Sequence, residues 1–223
     1  MSIKENLDKL RKEIPPHVKV VAVSKTKPPE DIMEAYNAGH QLFGENKAQE
    51  LISKQPGLPG DIQWHFIGHL QRNKVKYLAP FVRLIESVDS LRLLRAINKE
   101  ASKNGRIIDC LLQFHIAEEE SKFGLDLEEC RILLKSEDYQ QFGNVNLRGV
   151  MAMATFTDDE KQLHREFATL KRYFDALKKE FFTDKVDFTE VSMGMTNDYR
   201  IAVEEGSTMV RIGTAIFGER NYC

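Results

Sequence analysis

The sequence predicts a single (β/α)8 barrel of the TIM type, preceded by one N-terminal helix. Short runs rich in β-branched and apolar residues alternate with amphipathic stretches along the whole chain, with no low-complexity linker between them. Eight such runs average about 26 residues per βα unit, near the small end for this barrel. The competing fold, an open doubly wound sheet, usually has a GxGxxG turn after its first strand, and SKTKPPE (24–30) contains no glycine. We therefore predict one barrel domain over residues 1–223.

The elements follow from the periodicity of the apolar residues. A first helix is predicted from Ile3 to Ile14, where apolar residues recur at helical spacing before two prolines. Further helices are predicted at 29–38, at 91–101 and along the apolar stripe from Leu163 to Leu177. The eight predicted strands are 18–24, 41–46, 63–69, 82–88, 107–116, 146–154, 187–193 and 208–217.

The composition excludes several classes of function. The 32 Lys+Arg and 34 Asp+Glu leave a formal net charge of -2, so no basic excess is present to bind nucleic acid or a membrane surface. No apolar run approaches the roughly 18 to 20 residues of a membrane helix, and the polar start is unlike a secretory signal, so we expect a cytoplasmic protein. The three cysteines lack CxxC spacing, and His65 and His69 fall in a predicted strand, so we expect neither a disulfide framework nor a metal site.

In a barrel of this type the functional groups lie at the C-terminal ends of the strands. The first predicted strand runs into Lys25 and Lys27, and the two-residue period places Lys25 on the same face as Val21 and Val23. If that face points inward, the Lys25 amine lies in the barrel mouth, where desolvation lowers a lysine pKa and favours Schiff-base chemistry. The alternative is that both lysines simply cap the strand end.

The ends of the seventh and eighth strands are suited to an anion. SMGMTND (192–198) and RIGT (211–214) combine small residues with the hydroxyl donors Ser192, Thr196 and Thr214. Each segment alone could be an ordinary cap or turn, but the loops after these two strands are the usual phosphate site of the barrel. A lysine opposite a phosphate site narrows the ligand to a phosphorylated aldehyde or ketone, either pyridoxal phosphate or a phosphosugar.

Three further residues are candidates for this site. Arg211 has the strand parity of Gly213 and would lie between the lysine and the phosphate, although an ion pair with a carboxylate such as Glu190 is equally compatible. Asn46 could hydrogen-bond an oxygen near the aldehyde, and Met153 could pack against a ring face. Taken alone, Asn46 is better explained as a turn residue and Met153 as core filler.

Six segments follow one another in order along nearly the whole chain: VAVSKTKP (21–28), FGENKAQE (43–50), WHFIGHLQRNK (64–74), LRGVMAM (147–153), SMGMTND (192–198) and GSTMVRIGTAIFGER (206–220). Together they resemble the pyridoxal phosphate homeostasis protein family, which is related to the barrel domain of fold-type III enzymes such as alanine racemase. The resemblance implies pyridoxal 5'-phosphate (PLP) as cofactor, held as a Schiff base on Lys25. It implies phosphate contacts at Ser192, Gly213, Thr214 and at Thr196, where many members have serine.

The resemblance also implies that Arg211 is the partner of the pyridine nitrogen. Arginine only donates and stays charged, so a ring nitrogen bonded to it is unprotonated and is a poorer electron sink. Racemase-like relatives have a second, β-rich domain with a tyrosine base, whereas this chain ends soon after strand eight and leaves only Tyr199 open for that role. We expect a non-catalytic, monomeric PLP homeostasis protein that stores the cofactor or passes it on, with apo-enzymes as candidate recipients. The alternatives are a PLP-dependent amino-acid racemase and a phosphosugar Schiff-base aldolase.

Overall fold

A computed structural model describes residues 2–118 and 123–219 of the chain. Eight parallel strands form a closed barrel in which each strand pairs with the next along the sequence and the eighth pairs with the first. The strands are β1 Lys19–Val23, β2 Leu42–Glu45, β3 Gln63–Phe66, β4 Leu84–Val88, β5 Ile108–Phe114, β6 Val145–Ala152, β7 Glu190–Met195 and β8 Met209–Ile212. The predicted fold class is confirmed.

Helices connect the strands around the outside of the barrel. The described α-helices are α1 Ile3–Glu13, α2 Pro29–Asn37, α3 Ala48–Lys54, α4 Val75–Leu78, α5 Leu91–Lys103, α6 Leu127–Lys135, α7 Glu137–Gln140, α8 Glu160–Phe181, α9 Tyr199–Glu204 and α10 Thr214–Phe217. The predicted first helix begins at a capping box, in which the Ser2 hydroxyl accepts from the Glu5 N–H and the Glu5 carboxylate accepts from the Ser2 N–H. The long predicted helix is α8, whose buried stripe includes Leu163 and Leu177.

Several predicted strand ends are wrong at the end of the barrel where the candidate site lies: the strands predicted to end at 69, 116 and 154 stop at Phe66, Phe114 and Ala152, and the last two strands differ as well. The predicted last strand, 208–217, stops at Ile212, and the chain turns at Gly213 into the short helix α10. A continuous apolar run does not distinguish a strand from a strand followed by one helical turn. The seventh strand was predicted at 187–193 but runs from Glu190 to Met195, so four residues of SMGMTND lie in the strand rather than the predicted two.

The barrel interior holds its own apolar cluster, separate from the core between strands and helices. Val21, Leu84, Leu111, Met151 and Met209 pack together inside the barrel and are all buried. The next residue of β1, Ala22, belongs instead to the core between the strands and the helices. The odd-numbered face of β1 therefore points inward, as the two-residue period requires for Lys25 to face the barrel mouth.

The cysteines, the helices and the potential metal ligands can each be located among the described residues. Cys110 and Cys130 are buried free thiols, and burial raises the pKa of Cys130 to about 12, while Cys223 lies outside the described residues. Within residues 2–118 and 123–219, no helix has the length and apolar character needed to cross a membrane. The same residues contain no cluster of three His, Cys, Asp or Glu side chains arranged to hold a metal ion.

Candidate functional site

A cavity of about 390 Å³ opens at the C-terminal end of the barrel strands. This volume is within the range of small-molecule sites. Seven of the eight predicted site residues lie on its wall: Lys25, Asn46, Met153, Thr196, Arg211, Gly213 and Thr214. They come from the ends of five different strands, which the closed barrel brings to one mouth. A more open cleft of about 750 Å³ between α1 and α2 contains none of these residues.

The backbone beside Lys25 is strained. Thr26 has a φ of +64°, in the left-handed region, which is an unusual conformation for a β-branched residue. Its N–H donates to Oε1 of Glu50 at 2.5 Å. A strained residue persists only where surrounding contacts fix it. The Glu50 carboxylate is therefore one of the groups that set the direction in which the chain leaves β1 at Lys25.

A buried lysine fixes the other side of the same segment. Lys54 is 8% exposed, and its Nζ donates to the Ser24 carbonyl oxygen at 2.9 Å, to Glu45 Oε1 at 2.8 Å and to Glu50 Oε1 at 2.6 Å. Burial raises the pKa of Glu45, and the charge and hydrogen bond of Lys54 oppose that rise. This network lies on the outer side of the barrel, against α3. It bonds to the backbone of Ser24 and Thr26, the residues on either side of Lys25. Sequence reasoning missed it, although Glu50 and Lys54 have the i, i+4 spacing of a helical ion pair.

Lys27 joins the first strand end to the last helix. Its Nζ donates to the carbonyl oxygens of Phe217 at 2.8 Å and Glu219 at 2.9 Å, just after α10. Lys27 also lies on the cavity wall. Lys27 therefore connects the Lys25 loop with the loop that follows β8.

The loops after β7 and β8 meet at Thr196. The N–H of Gly213 donates to Thr196 Oγ1 at 3.4 Å, so the two segments predicted to bind an anion are adjacent. Gly194 has a φ of +93°, and the Asp198 carboxylate accepts from the Met195 N–H, which closes the turn. This turn places the Thr196 hydroxyl on the cavity wall beside Gly213.

Ser192, the eighth predicted site residue, lies elsewhere. It is fully buried in the barrel interior and is not on the cavity wall. Its hydroxyl accepts from Arg211 Nη1 at 2.5 Å and donates to Glu86 Oε2 at 2.6 Å. A serine hydroxyl has one proton, and here Glu86 accepts it. The structure thus places Ser192 behind Arg211 rather than at the anion loops.

Arg211 is only 4% exposed but reaches the cavity wall. Its Nη2 donates to the Ala152 carbonyl oxygen at 2.8 Å, and Nη1 lies 3.7 Å from Glu86 Oε2. The alternative of an ion pair with a carboxylate is confirmed, but the partner is Glu86. Glu190, the example given, is wrong, because its carboxylate bonds to Lys19 at the opposite end of the barrel. Burial lowers the pKa of Arg211 and the Glu86 carboxylate opposes this, so the guanidinium keeps its charge.

Glu86 is the buried counter-ion of this arginine. Burial raises the pKa of its carboxyl, but the hydrogen bonds from His65 and Ser192 and the charges of His65 and Arg211 outweigh burial and bring the pKa below its ordinary value. The carboxylate is therefore ionised. Its place in the apolar strand segment VRLIESV gave no sign of this role, because its partners come from distant strands.

Asn46 offers an acceptor to the cavity. Its Oδ1 is buried and has no hydrogen-bond partner among the described residues. A Cβ on Gly68 would come within 2.1 Å of the Asn46 carbonyl oxygen, so glycine is required beside it. Met153 is half-buried on the same wall. A buried acceptor without a partner is costly in the protein alone and suits a ligand that brings a donor.

Together, the fold and cavity define a (β/α)8 barrel protein whose small-molecule site combines a lysine, a buried arginine and two hydroxyl-bearing loops. A family model described as "Alanine racemase, N-terminal domain" matches residues 1–221. The pyridoxal phosphate homeostasis protein of Aquifex aeolicus is 40% identical over 205 residues, covering 92% of this chain and 88% of its own. The human protein of that name is 38% identical over 214 residues, covering 92% and 77%. The chain belongs to the pyridoxal phosphate homeostasis protein family.

Solved structures agree with this assignment. PipY of Synechococcus elongatus, solved with PLP bound, has a TM-score of 0.88 and 36% sequence identity, covering 97% of this chain and all of that one. An alanine racemase of Clostridium difficile has a TM-score of 0.79 at 14% identity, with 99% of this chain covering 57% of that enzyme. The second likeness concerns the fold alone.

Proposed function

We propose that this protein binds pyridoxal 5'-phosphate in the cavity at the C-terminal end of the barrel and acts in PLP homeostasis. The observation that carries the proposal is that one cavity gathers Lys25, Arg211 and the adjacent loops of Thr196, Gly213 and Thr214. These are the groups needed for an aldehyde, a ring and a phosphate. The relatives named for PLP homeostasis, and the PipY structure with PLP bound, support PLP over a phosphosugar.

The residues on the wall fit the parts of this cofactor. When bound, PLP supplies an aldehyde that can condense with an amine. Lys25 would supply that amine from the cavity wall, and the condensation would release the aldehyde oxygen as water. Asn46 Oδ1, which has no partner among the described residues, accepts from a donor beside the aldehyde. Met153 packs against the ring.

The phosphate is held by the two loops at the mouth of the barrel. Thr196 Oγ1 accepts from the Gly213 N–H, which leaves its own proton for a phosphate oxygen. Thr214 adds a second hydroxyl. Hydrogen bonds to an ionised phosphate are stronger than those between neutral groups. We infer that Ser192 does not take part, because its proton is donated to Glu86.

Arg211 favours holding the cofactor over turning over a substrate. A guanidinium can only donate, so a pyridine nitrogen bonded to it remains unprotonated and withdraws electrons less strongly. A racemase also needs an acid/base group on the second face of its substrate. The Tyr199 hydroxyl donates to Glu13 at 2.7 Å on the outer face, and no tyrosine is among the described residues of the cavity wall. These contacts support a non-catalytic role.

Absorbance spectroscopy tests the binding proposal. The purified protein mixed with PLP should show a visible band that borohydride abolishes, and Lys25→Ala should lack it. The matched control is Lys47→Ala, which changes an exposed lysine immediately before α3 and should keep the band. A wild-type protein without the band, or a band unchanged in Lys25→Ala, would overturn the proposal. If reduction instead trapped a sugar phosphate, the aldolase alternative would stand.

Transfer and catalysis need separate measurements. Loss of the visible band when an apo-enzyme acceptor is added, with gain of acceptor activity, would support delivery of the cofactor to apo-enzymes. Exchange of the α-hydrogen of amino acids in deuterated water, sustained and dependent on Lys25, would favour the racemase alternative. Sedimentation of the PLP-loaded protein at the mass of one chain would support the monomer.

A further inference from the structure

Four polar side chains form a continuous chain through the barrel interior. His65 Nδ1 lies 2.7 Å from Glu86 Oε1, Glu86 Oε2 lies 2.6 Å from Ser192 Oγ, and Ser192 Oγ lies 2.5 Å from Arg211 Nη1. None of the four is more than 4% exposed. They come from β3, β4, β7 and β8. Interiors of such barrels are mostly filled by branched apolar side chains, so a linked set of buried polar groups needs a reason.

The chemistry of the groups limits the directions of these hydrogen bonds. Arginine only donates, so the Ser192 oxygen accepts from it and the single Ser192 proton goes to Glu86. The bond between His65 and Glu86 has two possible directions, because His65 Nδ1 donates to an ionised Glu86 in one tautomer and accepts from a protonated Glu86 in the other. The partners of Glu86 hold its pKa below the ordinary value, so the carboxylate is ionised and His65 Nδ1 is the donor.

The chain connects two openings of the barrel. Arg211 lies on the wall of the 390 Å³ cavity. His65 lies on the wall of a second cavity of about 100 Å³ near the N-terminal ends of the strands, together with Lys19, Arg83 and Glu190. The polar path thus spans the interior from the candidate ligand site to the opposite end.

We propose that His65, Glu86 and Ser192 are positioning residues that hold Arg211 toward the ligand and make the base of the site specific for an uncharged acceptor. An unpaired buried guanidinium would attract an anion, but the Glu86 carboxylate compensates its charge while leaving its N–H donors. A neutral heteroaromatic nitrogen meets this requirement better than a carboxylate does. The identity of that nitrogen rests on the proposed PLP function, whereas the positioning of Arg211 does not.

The test compares two ligands and four variants. The ligands are PLP and its carbocyclic analogue, in which C–H replaces the ring nitrogen. Glu86→Gln and His65→Leu interrupt the chain, whereas His65→Gln keeps a donor toward Glu86. The control is Arg83→Gln, because Arg83 lines the same second cavity as His65 but pairs with Asp109. A buried hydrogen bond to a charged group is worth about tenfold or more in affinity.

We expect Glu86→Gln and His65→Leu to raise the Kd of PLP on the order of tenfold, and that of the carbocyclic analogue by less than about threefold. His65→Gln should recover most of the loss, and Arg83→Gln should match the wild type. If Glu86→Gln does not fold, His65→Leu decides the result, because it leaves the Glu86 carboxylate and the Arg211 guanidinium in place. Equal losses for the two ligands, or wild-type affinity in both interrupted variants, would overturn the specificity.

A second measurement needs no cofactor. In the ligand-free protein the Arg211 guanidinium protons, identified by their absence in Arg211→Lys, should exchange slowly with solvent in NMR spectra. His65→Leu should accelerate that exchange, and His65→Gln should restore it. Unchanged exchange in His65→Leu would refute the positioning role. If the wild type failed to bind PLP, the proposed function would fall while these exchange rates still decided the role of the chain.

Discussion

Replacing Lys54 by methionine removes a buried cation that contacts the carboxylates of Glu45 and Glu50 beside the Lys25 segment. Three hydrogen bonds, of 2.6 to 2.9 Å, would be lost, and Glu45, which is fully buried, would keep its desolvation cost with the Ser24 hydroxyl as its remaining hydrogen-bond donor among the described contacts. Removing one partner of a buried ion pair typically costs about 3–5 kcal/mol. For a domain of this size that corresponds to roughly 10 °C in Tm. We expect Lys54→Met to unfold at correspondingly lower urea concentration, and Lys47→Met, at an exposed lysine, to change little.

The loss of stability caused by Lys54→Met should depend on pH through Glu45. Burial raises the folded-state pKa of Glu45, so the folded state binds a proton more tightly than the unfolded state and loses stability as pH rises from the unfolded pKa through the folded one. Without Lys54 that folded pKa rises further. The cost of Lys54→Met should therefore be larger at pH 7.5 than at pH 4.5 in urea titrations monitored by circular dichroism. A cost below about 1 kcal/mol at pH 7.5, or an equal cost at both values, would refute the reasoning.

Two further predictions concern the loops at the mouth of the barrel. Thr196→Val combined with Thr214→Val should raise the Kd of PLP by more than about 100-fold, and Arg211→Ala should raise it less, because the phosphate carries most of the ligand charge; a titration of the visible band that gave the reverse order would contradict this. Gly194→Ala should lower the free energy of unfolding by about 2 kcal/mol or more, since its φ is +93° and the new Cβ would lie 2.5 Å from another Cβ in α9. Gly60→Ala, which has open space, is the control, and an equal effect of the two in urea titrations would count against the argument.

The features that sequence could predict are those set by local periodicity and by the general rules of the barrel. The alternation of apolar runs gave the eight strands, and the period of two placed Lys25 on the face of Val21, which the structure puts inside the barrel. Because parallel strands all end at one mouth, residues as distant as Asn46 and Thr214 could be expected on one wall, and both lie there. No knowledge of the side-chain contacts was needed for these steps.

The features that sequence could not predict depend on which distant residues meet. Glu86 is one acid in an apolar strand, and its ionised state follows from partners 21 and 106 residues away. Ser192 was predicted at the phosphate from its place in SMGMTND and from the family resemblance, but it is buried inside the barrel, where its hydroxyl bonds to Glu86 and Arg211. The position of a motif along its strand, and not the motif itself, determines which of its side chains stay in the barrel interior and which reach the cavity.

The two buried carboxylate networks explain how an apolar barrel can present both an amine and a guanidinium at one cavity. On the outer side of the barrel, Lys54 pairs with Glu45 and bonds to the backbone next to Lys25. In the barrel interior, Glu86 pairs with the Arg211 side chain. Burial raises the pKa of Glu45 but is outweighed at Glu86, whose pKa is lowered. As pH falls, the outer carboxylate is thus protonated before the inner one. Protonation of Glu45 would weaken its ion pair with Lys54, while the ionised Glu86 would still compensate the charge of Arg211.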